Sequence, residues 1–242
     1  MKKYIISIIS FLAGICTTNA KEYVPKVRFE SLRSDFLPSN EVRKLYQDSD
    51  GFIWIPTYNG LARYDGYDVL SYGTKDVVEG TFNPFVNVVE EDNCKNLWIG
   101  TECGLFRLDK ITGNIIADEY PELKDCNISA IIADDSGLWV GGDKGLYYKD
   151  NQKNDFEWLP LSYTNGHKLQ AVTSIVKDAH MNLWIASFGN ELLRYDVKKN
   201  ISYPYDHPIL NNSHVLKFDS HENLWVGTWG HGLICLKNPY SL

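Results

Sequence analysis

Eight residues stand in one recurring place, the short turn that follows an apolar strand centred on tryptophan: Tyr58, Asn59, Glu102, Lys144, Phe188, Asn190, Trp229 and His231. Aromatic rings interleaved with amides and charges suit a sugar, whose apolar ring faces stack while its hydroxyls hydrogen-bond. Asn40, Phe85 and Asn212, in the loops that lead into the same units, belong to the same face. For any one of these positions an ordinary turn residue is the rival reading. In two of the turns, "SFGNEL" and "TWGHGL" against "TYNGL", one extra residue should push Phe188 and Trp229 further out.

Other chemistries find less support. The six histidines all follow residue 166, and His180 and His221 fall in equivalent polar turns where solvent exposure is expected. Neither has a second ligand at metal spacing, so no metal site is expected. "DSDG" and "DNCKN" echo the start of a calcium loop but lack its later glutamate, which leaves turn chemistry for their aspartates. No serine has the setting of a nucleophile elbow, and no Cys/His arrangement repeats. The acid pairs Glu90-Glu91 and Asp134-Asp135 read as solvated turn neighbours. No catalytic residue and no cofactor follow from this sequence, so a binding role is expected over an enzymatic one. A structural or protein-interaction module, or a lyase with a central active site, remains the alternative.

These turns need a scaffold, and the chain is large and apolar enough to build one. It has 242 residues, 44% hydrophobic and 13% aromatic. Residues 1–20 begin with Lys2 and Lys3, run apolar over 4–15 and end "TTNA", the pattern of a secretory signal peptide cut before Lys21. Lipid anchoring through Cys16 is disfavoured by Ile15 before it. Cleavage would remove two lysines and no acid, taking the formal charge from −7 to −9. A chain so acidic repels nucleic acid and anionic lipid. No second apolar run is long enough for a membrane span. Cys94, Cys103, Cys126 and Cys235 show no zinc spacing and read as small buried or half-buried residues, although an exported compartment leaves a disulfide open.

The scaffold itself is repetitive. Trp54, Trp98, Trp139, Trp184 and Trp225 follow one another at steps of 44, 41, 45 and 41 residues. Around them lie five copies, at about 42–65, 86–109, 128–150, 172–196 and 215–236. Each has an alternating run, a turn led by Asp48, Asp92, Asp134, Asp178 or Asp219, the tryptophan strand, a short turn and a leucine-rich strand. Several strands in a period of 40 to 45 residues predict an all-β propeller of four-stranded blades over 21–242. Each aspartate would accept amides of its turn, and each tryptophan would be buried between blades. The linkers 69–85 and 198–213 have room for a fourth strand. Residues 27–32 form a spare strand that could complete the last blade, although an open ring is the preferred expectation.

The stretches "QDSDGFIWIPTYNGLARYDG" and "LWVGTWGHGL" resemble the two-component regulator propeller repeat, and the likeness extends over residues 27–238. The resemblance implies an exported, periplasmic sensor segment of a hybrid two-component system in a glycan-foraging bacterium. It implies a longer parent with seven-bladed propellers, a membrane span and a histidine kinase. On that reading five copies make an incomplete seven-bladed ring. Its partners would be an oligosaccharide and the parent's further blades and kinase domains, and a homodimer of the parent is left open.

Overall fold

The computed structural model describes residues 36–73, 77–79, 82, 84–116, 120–163, 166–189, 192–205 and 207–240. The signal peptide expected at 1–20 and the spare strand at 27–32 lie outside them, as does Asn190.

Every described element is a strand, a turn or a short 3-10 turn, and the strands fall into five sheets of consecutive antiparallel neighbours. Blade one comprises β1 (Tyr46–Gln47), β2 (Ile53–Thr57), β3 (Gly60–Tyr64) and β4 (Val69–Tyr72). Blade two comprises β6 (Val86–Glu91), β7 (Leu97–Thr101), β8 (Gly104–Leu108) and β9 (Ile115–Ile116). Linker strand β5 (Val77–Glu79) adds itself to β9 in parallel, so this sheet has five strands where four were expected. Blade three holds β10 (Ile128–Ala133), β11 (Gly137–Gly142), β12 (Gly145–Asp150) and β13 (Glu157–Leu159). Blade four holds β14 (Val172–Lys177), β15 (Leu183–Ser187), β16 (Leu192–Asp196) and β17 (Ile201–Tyr205). Blade five has only β18 (Ser213–Phe218), β19 (Leu224–Thr228) and β20 (Gly232–Leu236). No outer strand pairs with β20 among the described residues.

The core is the set of seams between successive blades. Trp98 and Leu105 of blade two pack with Ile128, Ile131, Leu138 and Val140 of blade three, and Trp139 and Leu146 meet Val172, Ile175 and Ile185 of blade four. Trp184 likewise meets Leu216, Leu224 and Val226 of blade five. Each tryptophan therefore faces the blade that follows it. This geometry corrects one expectation: Trp54, Trp98, Trp139 and Trp184 are buried, but Trp225 is 36% exposed. Val215 and Leu233 stand on the same face of blade five, 56% and 66% exposed, where their counterparts Val88 and Leu105 are buried. Among the described residues no sixth blade covers that face, as in an open propeller.

The repeated turns behave as their sequence requires. Asp178 accepts the amides of His180 and Asn182 at Oδ1 (2.9 and 2.8 Å), and Asp48, Asp92, Asp134 and Asp219 accept from their turns in the same way. The second carboxylate oxygen takes the indole N–H of the blade's own tryptophan in all five copies, at 2.8 to 3.2 Å. The constant offset of five or six residues from aspartate to tryptophan is thus a hydrogen bond, and the same carboxylate fixes the turn and the core ring. At the other end of the strand, Gly60 has φ +126°, and a Cβ there would lie 2.7 Å from the carbonyl oxygen of Tyr72. Only glycine closes that two-residue turn without strain.

Candidate functional site

Consecutive antiparallel turns alternate between the ends of a blade, so the β2–β3, β7–β8, β11–β12, β15–β16 and β19–β20 turns share one end, opposite the aspartate turns. The innermost strand of blades two to five carries a β-bulge at that end. A bulge leaves one residue without a cross-strand partner and re-aims it; here those residues are Asn87, Ser129, Thr173 and His214. The first three reach the next blade, donating to the carbonyls of Ile128 (3.0 Å), Val172 and Ser213 (3.2 Å) respectively. His214, with no following blade among the described residues, lies instead against Trp229, ring centroids 6.0 Å apart.

Trp229 also meets Phe188 from the neighbouring blade, edge to face at 6.2 Å. Both rings are exposed, Phe188 by 54% and Trp229 by 64%. The lengthened turns thus bring two of the expected aromatics together across the seam of blades four and five. Gly230, at φ +103°, lets the three-residue turn from Thr228 to Gly232 lift Trp229 outward, and Thr228 Oγ1 donates to Gly232 O (3.0 Å) to close it. His231 is exposed in the same turn.

Asn212 adjoins that patch, its carbonyl accepting the Trp229 amide at 3.1 Å, whereas Tyr58, Asn59, Glu102 and Lys144 do not join it. Tyr58 packs edge to face on Phe85 at 4.6 Å, with the Arg43 guanidinium 4.9 Å from its ring, so blades one and two hold a separate aromatic pair. Asn59 is exposed and its amide lies 3.5 Å from the carbonyl of Pro38. Lys144 is spent on the carbonyl of Lys124 at 2.9 Å, while Glu102 is half-buried. His214 and Arg43 were not among the expected residues. A signal for His214 was present, because each copy from the second on places Asn, Ser, Thr or His directly after the first residue of its inner strand.

Of the two acid pairs, Asp135 is exposed as expected, but Glu90, Glu91 and Asp134 are not free in solvent. Burial pushes the Glu90 carboxyl up to about 7, with Lys44 offsetting only part of it. The Glu91 side chain is buried and ion-paired with Lys110. Asp134 is ion-paired with Lys177 of the next blade. Asp48, Asp50 and Glu91 gather within 4.8 Å, the one group of metal-ligand type among the described residues. Lys110 Nζ stands among them, 3.2 Å from Asp48 and 2.8 Å from Asp50 and in contact with Glu91, so a lysine ammonium answers their charge. Hydrogen bonds from Lys110 and Lys95 hold Asp50 down at about 2. Cys94, Cys126 and Cys235 are free thiols. Cys126 is buried, where desolvation and Asp143 raise its thiol to about 12. Cys94 and Cys103 are exposed, against expectation, because their turns face solvent.

Residues 37–59 match the model of the two component regulator propeller family, which the repeat resembles. The extracellular domain of BT4673 from B. thetaiotaomicron, described as a hybrid two component system, has a similar fold, with 18% identity and TM-score 0.67 over 87% of this chain and 32% of that one. The extracellular domain of BT3049 from the same organism, described in the same terms, gives 20% identity and TM-score 0.59 over 88% and 36%. Virginiamycin B lyase from Staphylococcus aureus is similar in fold as well, at 19% identity and TM-score 0.64 over 80% and 65%. The chain spans about a third of the two extracellular domains. No curated protein matches it. No helix among the described residues is long and apolar enough to cross a membrane.

Proposed function

We propose that this chain is a propeller segment of an exported, periplasmic sensor, and that it recognises a glycan-derived oligosaccharide at the seam of blades four and five. The exposed pair Phe188 and Trp229 carries the reading. Two large rings left in water are costly unless a ligand covers them, and edge-to-face rings present one flat surface and one rim to a sugar. His214 lies against Trp229 and His231 is exposed in the same turn as Trp229, so both could supply donors to hydroxyls. Likeness to extracellular domains of two-component systems supports the sensor role, and the signal would pass to a kinase outside these residues. The uncovered face of Val215, Trp225 and Leu233 supports a place beside further blades, because every equivalent face in the chain is sealed by the next one.

Calorimetric titration with a panel of glycan oligosaccharides tests the proposal. Trp229→Ala should weaken binding by about 1–3 kcal/mol through lost stacking area, and Phe188→Ala by a smaller amount. Unchanged affinity in both variants would move the site elsewhere. Because the fold is shared with a lyase, products are assayed in the same samples, and turnover of any panel member would replace sensing by catalysis.

A further inference from the structure

At the opposite end of the propeller, a cavity of about 520 Å³ opens between blades one and two, a volume suited to a small organic ligand. Its wall combines the aspartate turns of both blades with the Asp109–Asn114 turn, and its cations are Arg63, Lys95, Arg107 and Lys110. Two of these are matched: Lys95 and Lys110 bond Asp50 at 2.7 and 2.8 Å, and Lys110 also serves Asp48 and Glu91. The Asp109 carboxylate accepts the amides of Ile111 and Thr112, while Arg107 lies 3.4 Å from Asn96 Oδ1.

Arg63 differs. It stands opposite Trp54 in the β2–β3 ladder, and its guanidinium lies 4.4 Å from the centroid of Phe52, so one face is held by an aromatic ring. Its Nε is buried and meets no acceptor among the described residues, and no salt bridge among them reaches it. The Nε of Arg194, opposite Trp184 in blade four, is buried without an acceptor in the same way, so it is the terminal guanidinium nitrogens of Arg63, in the cavity wall and answered by no ion pair among the described residues, that a bound oxyanion would meet. We infer that this cavity is a second ligand site, and that Arg63 receives there the carboxylate, sulfate or phosphate group of a small organic molecule. The site is independent of the aromatic patch. It lies on the other end of the blades, in other blades, and recognises charge where the patch recognises ring faces.

The test is titration of the protein with D-glucuronate, D-glucose 6-phosphate, D-glucose 6-sulfate and D-glucose, at low and high salt. At least one of the three anionic probes should bind and D-glucose should not, and the arm that binds tightest identifies the oxyanion. Arg63→Gln should raise the dissociation constant roughly tenfold or more, as loss of a charge-assisted bond does. Ile111, 96% exposed at the rim, gives a variant that leaves the packing untouched. Ile111→Glu should weaken anion binding by repulsion and raise its salt dependence, while Trp229→Ala should leave it unchanged. Equal binding of D-glucose and the anions, no binding of any probe, or anion affinity indifferent to both Arg63→Gln and Ile111→Glu would overturn the site.

Discussion

Trp184→Ala is expected to destabilise the protein by about 3–5 kcal/mol, the range for removing a large buried aromatic, whereas Trp225→Ala, at the equivalent place in blade five, should cost clearly less. The two tryptophans share a sequence setting and an aspartate partner, and differ in what covers them. Trp184 is sealed by Leu216, Leu224 and Val226 and is fully buried; Trp225 is 36% exposed, with no following blade among the described residues to cover it. Asp178 joins the same argument. It is buried and accepts Trp184 Nε1 (3.0 Å), two backbone amides and the Asn182 side chain (2.9 Å). Asp178→Ala leaves those donors unmet, at about 1–3 kcal/mol for the network. The double variant should cost less than the sum, because the indole that needed the carboxylate is gone. Urea unfolding of the wild type and the four variants measures this. Equal losses for Trp184→Ala and Trp225→Ala would mean that the blade-five face is covered in solution.

What the sequence could reveal here follows the range of each interaction. The tryptophan period and the aspartate turns are local, repeated five times, and survive as strands, turns and hydrogen bonds. The lengthened turns at Phe188 and Trp229 were visible as one inserted residue each. What was hidden depends on the neighbouring blade. Glu90 reads like a turn acid beside Glu91, yet it lies next to Trp98 across the β6–β7 ladder, at a position where blades three and four carry Ile132 and Val176. Lys110 follows the second copy and still bonds Asp48 of the first, some 60 residues away. His214 is a bulge residue whose counterparts stitch blades together, a role that emerges only when the bulge is seen. Arg63 alternates with buried Ala62 as a surface arginine would, and its place in a cavity wall depends on the turns that the adjoining blade brings beside it.

Glu90 gives the second large effect, and its sign is opposite to that of aspartates held low, such as Asp50, Asp134 and Asp219. Burial raises its folded pKa from the ordinary 4.5 to about 7, an increase that Lys44 only partly opposes. The folded protein therefore holds this proton more tightly than the unfolded chain does. The resulting stabilisation is complete below about pH 4.5 and is lost as pH rises through 7. Over that window the loss is about 3 kcal/mol, from 1.36 kcal/mol per pKa unit. Glu90→Gln keeps the shape of the protonated acid and removes its titration. The variant should match the wild type near pH 4.5 and exceed its stability by about 3 kcal/mol near pH 8. Carboxylates held low, such as Asp50 and Asp134, act at more acid pH and in the reverse direction, so the difference between the two proteins isolates Glu90. Denaturant midpoints at pH 4.5, 6, 7 and 8 supply the curve. A stability difference that stays flat across this range would show that Glu90 ionises as freely in the folded protein as in the unfolded chain.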